Sequence, residues 1–220
     1  MDRKEGLKEA RVAREGYKFI IPSFIFFILF VFLHYYPLAS LSLSFFFFCL
    51  FFFRNPPRFS EASADCLVSP ADGKVVAVKD MVEGEFLGSD ATRVSIFMSL
   101  ASVHVNRSPL DGRIVRMEHR PGNFKLAWKG EVDTENERNY ILMESNNERF
   151  LVVQIAGFVA RRITPYVHEG DMVKRTDPLG IIAFGSRVDI YLPKTYECMV
   201  QLHDSLKAGT TVVAKRKEKG

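Results

Sequence analysis

The sequence predicts a mainly β fold, a barrel-sandwich-like domain preceded by an N-terminal transmembrane or re-entrant helical hairpin. Three observations predict it. After residue 64 the chain is dominated by short strand-like runs with turn residues between them. An acid-and-glycine turn recurs ahead of two of those runs. From Phe19 to Phe53 there is no Asp, Glu, Lys or Arg, and most of the 20 phenylalanines lie there.

The N-terminal elements come first. An uncharged stretch of that length exceeds the ~20 residues that cross a bilayer once. His34-Tyr35-Tyr36-Pro37 divides it with polar, aromatic and helix-breaking residues. Two helical spans of about 15 to 17 residues joined by a tight turn result, each about 25 Å long at 1.5 Å per residue. A signal peptide is excluded by the length of the apolar region and by the lack of a small-residue cleavage site before Arg54. Arg3, Lys4, Lys8, Arg11, Arg14 and Lys18 precede the stretch, Arg54 and Arg58 follow it, and the connecting loop has no Lys or Arg. The positive-inside tendency puts both ends, and everything after them, on the cytoplasmic side of the cell membrane. The expected organisation is a basic N-terminus (1–18), a hydrophobic hairpin anchor (19–53), a Pro-rich linker "RNPPRFSEAS" (54–63) and a β-rich domain (64–220).

In that domain the runs are 73–80, 92–99, 112–119, 139–145, 149–157, 179–185 and 187–193. Ala71-Asp72-Gly73, Leu110-Asp111-Gly112, Pro121-Gly122-Asn123, Asn146-Asn147 and Glu169-Gly170-Asp171 mark turns. "VSPADGKVVAV" and "VHEGDMVKRTDPLGIIAF" share a cadence found in barrel-sandwich domains of the biotinyl and lipoyl kind. A short helix is expected around Leu100–Val103, and "KRKEK" at the C-terminus reads as a frayed basic tail near anionic lipid.

Composition excludes several classes. The net charge of +4 is mild and by itself argues neither for nor against nucleic acid; no nucleic-acid partner is expected. Three cysteines without paired spacing give neither a disulfide framework nor a zinc site, and no His/Cys/Asp cluster has metal-ligand spacing. Walker and Rossmann glycine motifs are absent.

Chemistry gathers at "IIAFGSRVDIYLPK" (181–194), where Gly185-Ser186 interrupts an alternating strand pattern. A hydrolase elbow needs G-x-S-x-G at a strand-to-helix turn, and Arg-Val-Asp-Ile follows here instead. Another use fits better. A serine hydroxyl pressed onto the preceding carbonyl converts the peptide bond to an ester, and glycine leaves that carbonyl open and tolerates strained angles. By themselves Asp72 reads as a turn aspartate and His104 as a structural histidine between a strand and a proline turn. Arg161-Arg162 reads either as a solvated strand end or as a carboxylate partner beside an anion binder.

Together "FFFRNPPR", "VSPADGKV", "MSLASVHVNRSP", "ENERN", "GFVARRI", "EGDMVKR" and "FGSRVDIYLP" resemble the phosphatidylserine decarboxylase family, in its short membrane-anchored type, from Phe53 onward. The resemblance implies self-cleavage between Gly185 and Ser186. It yields a large chain 1–185 and a small chain 186–220 whose Ser186 becomes a covalent pyruvoyl cofactor. That group would serve as electron sink for decarboxylation of phosphatidylserine to phosphatidylethanolamine. The resemblance makes Asp72 and His104 the candidate acid–base pair and gives His104 a part in decarboxylation. Arg187 would contact the substrate carboxylate or phosphate. Longer relatives carry a second histidine where Arg107 stands here, so the base for processing is open. The partners implied are phospholipid and membrane, and a homo-oligomer is compatible with them. The rival from another class is a membrane-anchored barrel-sandwich adaptor without activity, and a third reading is an ordinary serine hydrolase.

Overall fold

The computed structural model describes residues 10–122, 136–157, 162–183 and 185–218. The chain divides into two compact units, residues 1–57 and 58–220.

The first unit is the helical pair. A 3₁₀ turn (Arg14–Gly16) leads into α1 (Tyr17–Phe32), and α2 (Tyr36–Phe52) returns antiparallel to it. His34 provides the left-handed residue of the three-residue turn (φ 59°), and Pro37 opens α2 at a position where its missing N–H costs nothing. The unit's two ends are tied together: Ala13 N–H donates to Phe53 O (2.8 Å) and Asn55 N–H to Arg11 O (2.7 Å). Large apolar side chains face outward on both helices, among them Ile25, Phe32, Leu41 and Phe47. Taken with the 3₁₀ turn, the first helix is long and apolar enough to cross a membrane; the second is apolar but shorter.

The second unit is built almost wholly of strands: β1 (Cys66–Val68), β2 (Gly73–Glu83), β3 (Ser89–Met98), β4 (Val105–Arg107), β5 (Gly112–Arg120), β6 (Arg138–Ser145) and β7 (Glu148–Ile155). There follow β8 (Ile163–Pro165), β9 (Met172–Val173), β10 (Pro178–Ile182), β11 (Ser186–Pro193), β12 (Tyr196–Cys198), β13 (Ser205–Leu206) and β14 (Val212–Arg216). Eight form one curled antiparallel sheet in the order β13-β2-β3-β11-β7-β6-β5-β9. Two three-stranded sheets, β1-β14-β12 and β4-β10-β8, supply side chains to the same core as the large sheet's inner face. Val94, Ile96, Ile141, Val152, Val188 and Ile190 from the large sheet meet Leu67, Leu179, Ile182 and Val213 from the small ones. The barrel-sandwich-like expectation holds. A second apolar cluster, with Phe86, Tyr140, Leu151, Val153 and Ile155, covers the other face.

All seven expected runs are strands, with ends displaced by a few residues. Two expectations fail. Leu100–Val103 is not a helix: Ser102 N–H donates back to Ser99 O and the Ser102 hydroxyl accepts from Ser99 N–H, closing a turn. Four residues between a strand and an Asn-Arg-Ser-Pro segment cannot hold a helix nucleus. The basic C-terminus is not frayed from its start either, because Lys215 and Arg216 lie in β14. Arg216 is held by Glu148 and the Tyr196 hydroxyl.

Candidate active site

The interrupted strand of the sequence is a corner between two sheets. β10 pairs with β4 and β8, whereas β11 runs in the large sheet between β3 and β7. Gly185 makes the corner with a left-handed backbone (φ 58°), a conformation that L side chains rarely adopt. Ser186 then opens β11 fully buried, opposite Met98 of β3. Alternation along β11 sends Ser186, Val188, Ile190 and Leu192 to the inner face and Arg187 and Asp189 to the outer one. Ser186 Oγ lies 3.5 Å from Met98 Sδ.

Register brings the other candidates to the same end of the sheet. Lys74 faces Phe97 across β2 and β3, so Asp72 and Gly185 approach the end of β3 from its two sides. Two strand spacings, roughly 10 Å, separate their backbones. Gly73 permits this approach, because a Cβ there would overlap the Phe97 carbonyl oxygen. His104 just precedes β4, and its carbonyl accepts from Ile182 N–H (3.4 Å), three residues ahead of Gly185. The histidine is completely buried.

Asp72 is no bare turn aspartate. Both its oxygens accept from Arg58 Nη2 (3.1 and 2.9 Å), and one also accepts from Ala208 N–H (2.7 Å). Arg107 stands within the field of the same group, with Nη1 donating to Thr176 O (2.8 Å). Burial, reinforced by the positive charge of Arg58, lowers the Arg107 pKa to about 10, while Asp72 and Asp177 act the other way.

The arginines singled out by sequence go to different places. Arg187 is buried, and its Nε and Nη2 make a bidentate pair with Asp189 (2.8 Å each) on the face away from Ser186. Arg162 is exposed. Arg161 lies outside the described residues. Among the described residues no three His, Cys, Asp or Glu side chains gather as a metal site would require.

Sequence reasoning missed a set of buried amides on the inner side: Asn106 of β4, Gln154 of β7 and Asn139 of β6. The signal was present. Gln154 shares the parity of Phe150 and Val152, both core residues, so a polar side chain stands where the strand pattern demands an apolar one.

Comparisons with known proteins point to one family. The model of the family described as phosphatidylserine decarboxylase matches residues 45–214. A phosphatidylserine decarboxylase proenzyme of Cytophaga hutchinsonii is 37% identical over 214 residues, covering 92% of this chain and 97% of that protein. Those of Carboxydothermus hydrogenoformans (40% over 205 residues, 93% and 96%) and Pelobacter propionicus (44% over 169 residues, 76% of each) are similar to it as well. The match reaches from α2 to β14 and so takes in the corner at Gly185, the Asp72 turn and His104. The adaptor and serine hydrolase readings fall with it: the chain belongs to the phosphatidylserine decarboxylase family.

Proposed function

We propose that this chain is a proenzyme that cleaves itself between Gly185 and Ser186 and then decarboxylates phosphatidylserine to phosphatidylethanolamine and CO2 at a membrane surface. The observation that carries the reading is the corner itself. A left-handed glycine with nothing within 4 Å of where a Cβ would lie delivers a fully buried serine to the start of a central strand. Water is kept from the hydroxyl, while the Gly185 carbonyl is unshielded by any side chain of its own.

Processing would begin with attack of Ser186 Oγ on the Gly185 carbonyl carbon, breaking the C–N bond and leaving an ester. Loss of the Ser186 α-proton and of the ester oxygen follows. Hydrolysis then frees the nitrogen as ammonia and leaves a pyruvoyl group at the head of the 186–220 chain. That group supplies a ketone able to capture the substrate's amine and to accept the electrons released with CO2. The fit to this chain is good on two counts. Residue 186 is buried, and β11 is bound on both sides by β3 and β7, so the new terminus stays in place when the bond to Gly185 is lost. The pairing of β13 with β2 and of β14 with β1 likewise joins the small chain to the large.

His104 is the residue we assign to proton transfer at position 186, first as base and later as donor to the product. Asp72, held between Arg58 and the Ala208 amide, acts through the field it sets up. Arg187 is assigned to clamping the strand through Asp189. Arg162, exposed on the same unit, remains for an anionic headgroup, with Arg161 beside it in sequence. The helical pair is assigned to the membrane, with both its tied ends on the cytoplasmic side, which keeps the enzyme where the substrate's acyl chains are.

The assay is release of labelled CO2 from phosphatidylserine carrying the label in the serine carboxyl, presented in mixed micelles. The full-length protein is expected to release it, and Ser186→Ala to release none. Equal release by the two proteins would rule the reading out.

A further inference from the structure

A line of buried amides inside the curled sheet ends at the sulfur atom that Ser186 also touches. Asn139 Nδ2 donates to Gln154 Oε1 (2.9 Å), Gln154 Nε2 donates to Asn106 Oδ1 (2.8 Å), and Asn106 Nδ2 lies 3.5 Å from Met98 Sδ. None of the three is more than 2% exposed. They come from β6, β7 and β4, so only the folded sheet brings them together. A thioether has no proton to give. The sulfur therefore sets the direction of the whole line. Asn106 must offer it an N–H, which turns Oδ1 to Gln154. Gln154 must then donate, which turns its own Oε1 to Asn139. Buried polar chains are costly unless satisfied, and an apolar trio would fill the same space. This one ends beside the cleavage site, because Ser186 Oγ is 3.5 Å from the same sulfur.

We infer that Asn106 Nδ2 becomes the hydrogen-bond donor to the oxygen that leaves Ser186 during processing, passing to it from the Met98 sulfur that both atoms touch, and that Gln154 and Asn139 are positioning residues that fix Asn106 Oδ1 and so keep its N–H on the side of that sulfur. The inference rests on the processing reading above. In the ester, the former hydroxyl oxygen links the Gly185 carbonyl carbon to Ser186 Cβ. Elimination passes the Ser186 α-proton to a base, forms the Cα–Cβ double bond and breaks Cβ–Oγ. The electron pair of the broken bond stays on Oγ, which becomes a carboxylate oxygen of Gly185. Negative charge thus grows on the atom that shares its neighbour with Asn106. An N–H passed from the sulfur to that oxygen stabilises the charge as it forms. The weak thioether acceptor competes little for the donor and does not hold the hydroxyl back from its first attack. Losing one such preorganised donor costs about 100-fold in rate.

The experiment follows processing of the full-length chain in detergent for wild type, Asn106→Leu and the near-isosteric Asn106→Asp, by denaturing mass analysis before and after hydroxylamine. Hydroxylamine cuts an ester and spares the peptide bond, and the chain has no Asn-Gly bond that it would also cut. Wild type should yield two fragments without hydroxylamine. Both variants should be slowed about 100-fold, with the uncleaved chain splitting after Gly185 once hydroxylamine is added. The carboxylate introduced by Asn106→Asp would repel the forming one, so that variant's defect should ease as the pH falls, which a packing defect would not do. Processing at the wild-type rate overturns the proposal. So does a stalled chain that resists hydroxylamine, since its defect precedes the ester. Should Asn106→Leu not melt cooperatively, Asn106→Asp decides alone. A wild-type chain that never cleaves is a failure of the processing reading itself, seen before any variant is compared, and it removes the ground for this inference too.

Discussion

At the scale of single residues, Gly185 and Ser186 divide one task between backbone and side chain. In the proposed processing the glycine supplies a conformation and the serine a nucleophile, and each is testable alone. Gly185→Ala meets no steric obstacle, since nothing lies within 4 Å of the added carbon. Its cost is conformational, about 1–2 kcal/mol for an L residue in the left-handed region. The corner conformation becomes correspondingly rarer, so processing is expected to slow by roughly tenfold while the protein still folds. A gel time course of fragment appearance measures it; an unchanged rate would mean that the corner's geometry does not govern cleavage. The pair was legible in the sequence because a glycine breaks an otherwise regular alternation there. Asp72 was legible as a position but not in its bonding. Its partner Arg58 lies in the segment that sequence reads as linker, and nothing in the spacing links the two.

At the scale of elements, β11 carries the most, since it joins two halves of the large sheet and begins at Ser186, where cleavage is proposed. Its outer face holds the Arg187–Asp189 pair, with side chains 4% and 2% exposed. Asp189→Ala leaves the Arg187 guanidinium buried without its carboxylate, and a broken buried pair costs about 3–5 kcal/mol. Thermal melting of the unprocessed Ser186→Ala background, with and without Asp189→Ala, isolates that cost from any effect on cleavage. A change below about 1 kcal/mol, the range of an exposed pair, would refute the clamp. Strands were the legible elements because alternation of apolar and polar residues is a local signal. The short strands β1, β4, β8, β9, β12, β13 and β14 carried none, being two to five residues long. They exist through their partners. The same reason explains β14: Lys215 and Arg216 look like a charge run until Glu148 and Tyr196 are placed beside them.

At the scale of the whole molecule, an apolar helical pair and a strand-built unit share one chain, and the boundary falls at Pro57. The strand-built unit has its own core, so residues 58–220 are expected to fold and process without the helices. If the helices serve as anchor, the truncated protein should decarboxylate substrate dispersed in detergent as the full chain does. It should lose at least tenfold in activity on vesicles, where tethering supplies the effective concentration. Equal activity on vesicles would assign the helices another role. The apolar helical pair was legible from the missing charges between Phe19 and Phe53, and the family from seven separated motifs. The amide line through Asn106 was not, because its members lie on three strands far apart in sequence. The proposed function depends on one covalent event, and denaturing intact-mass analysis of the purified protein beside Ser186→Ala probes that event most directly. Self-cleavage should give two fragments meeting between Gly185 and Ser186, the smaller one modified by a hydrazine, and a single 25.1 kDa species for the variant. A wild-type protein that stays whole and unreactive under native conditions with lipid present would contradict it.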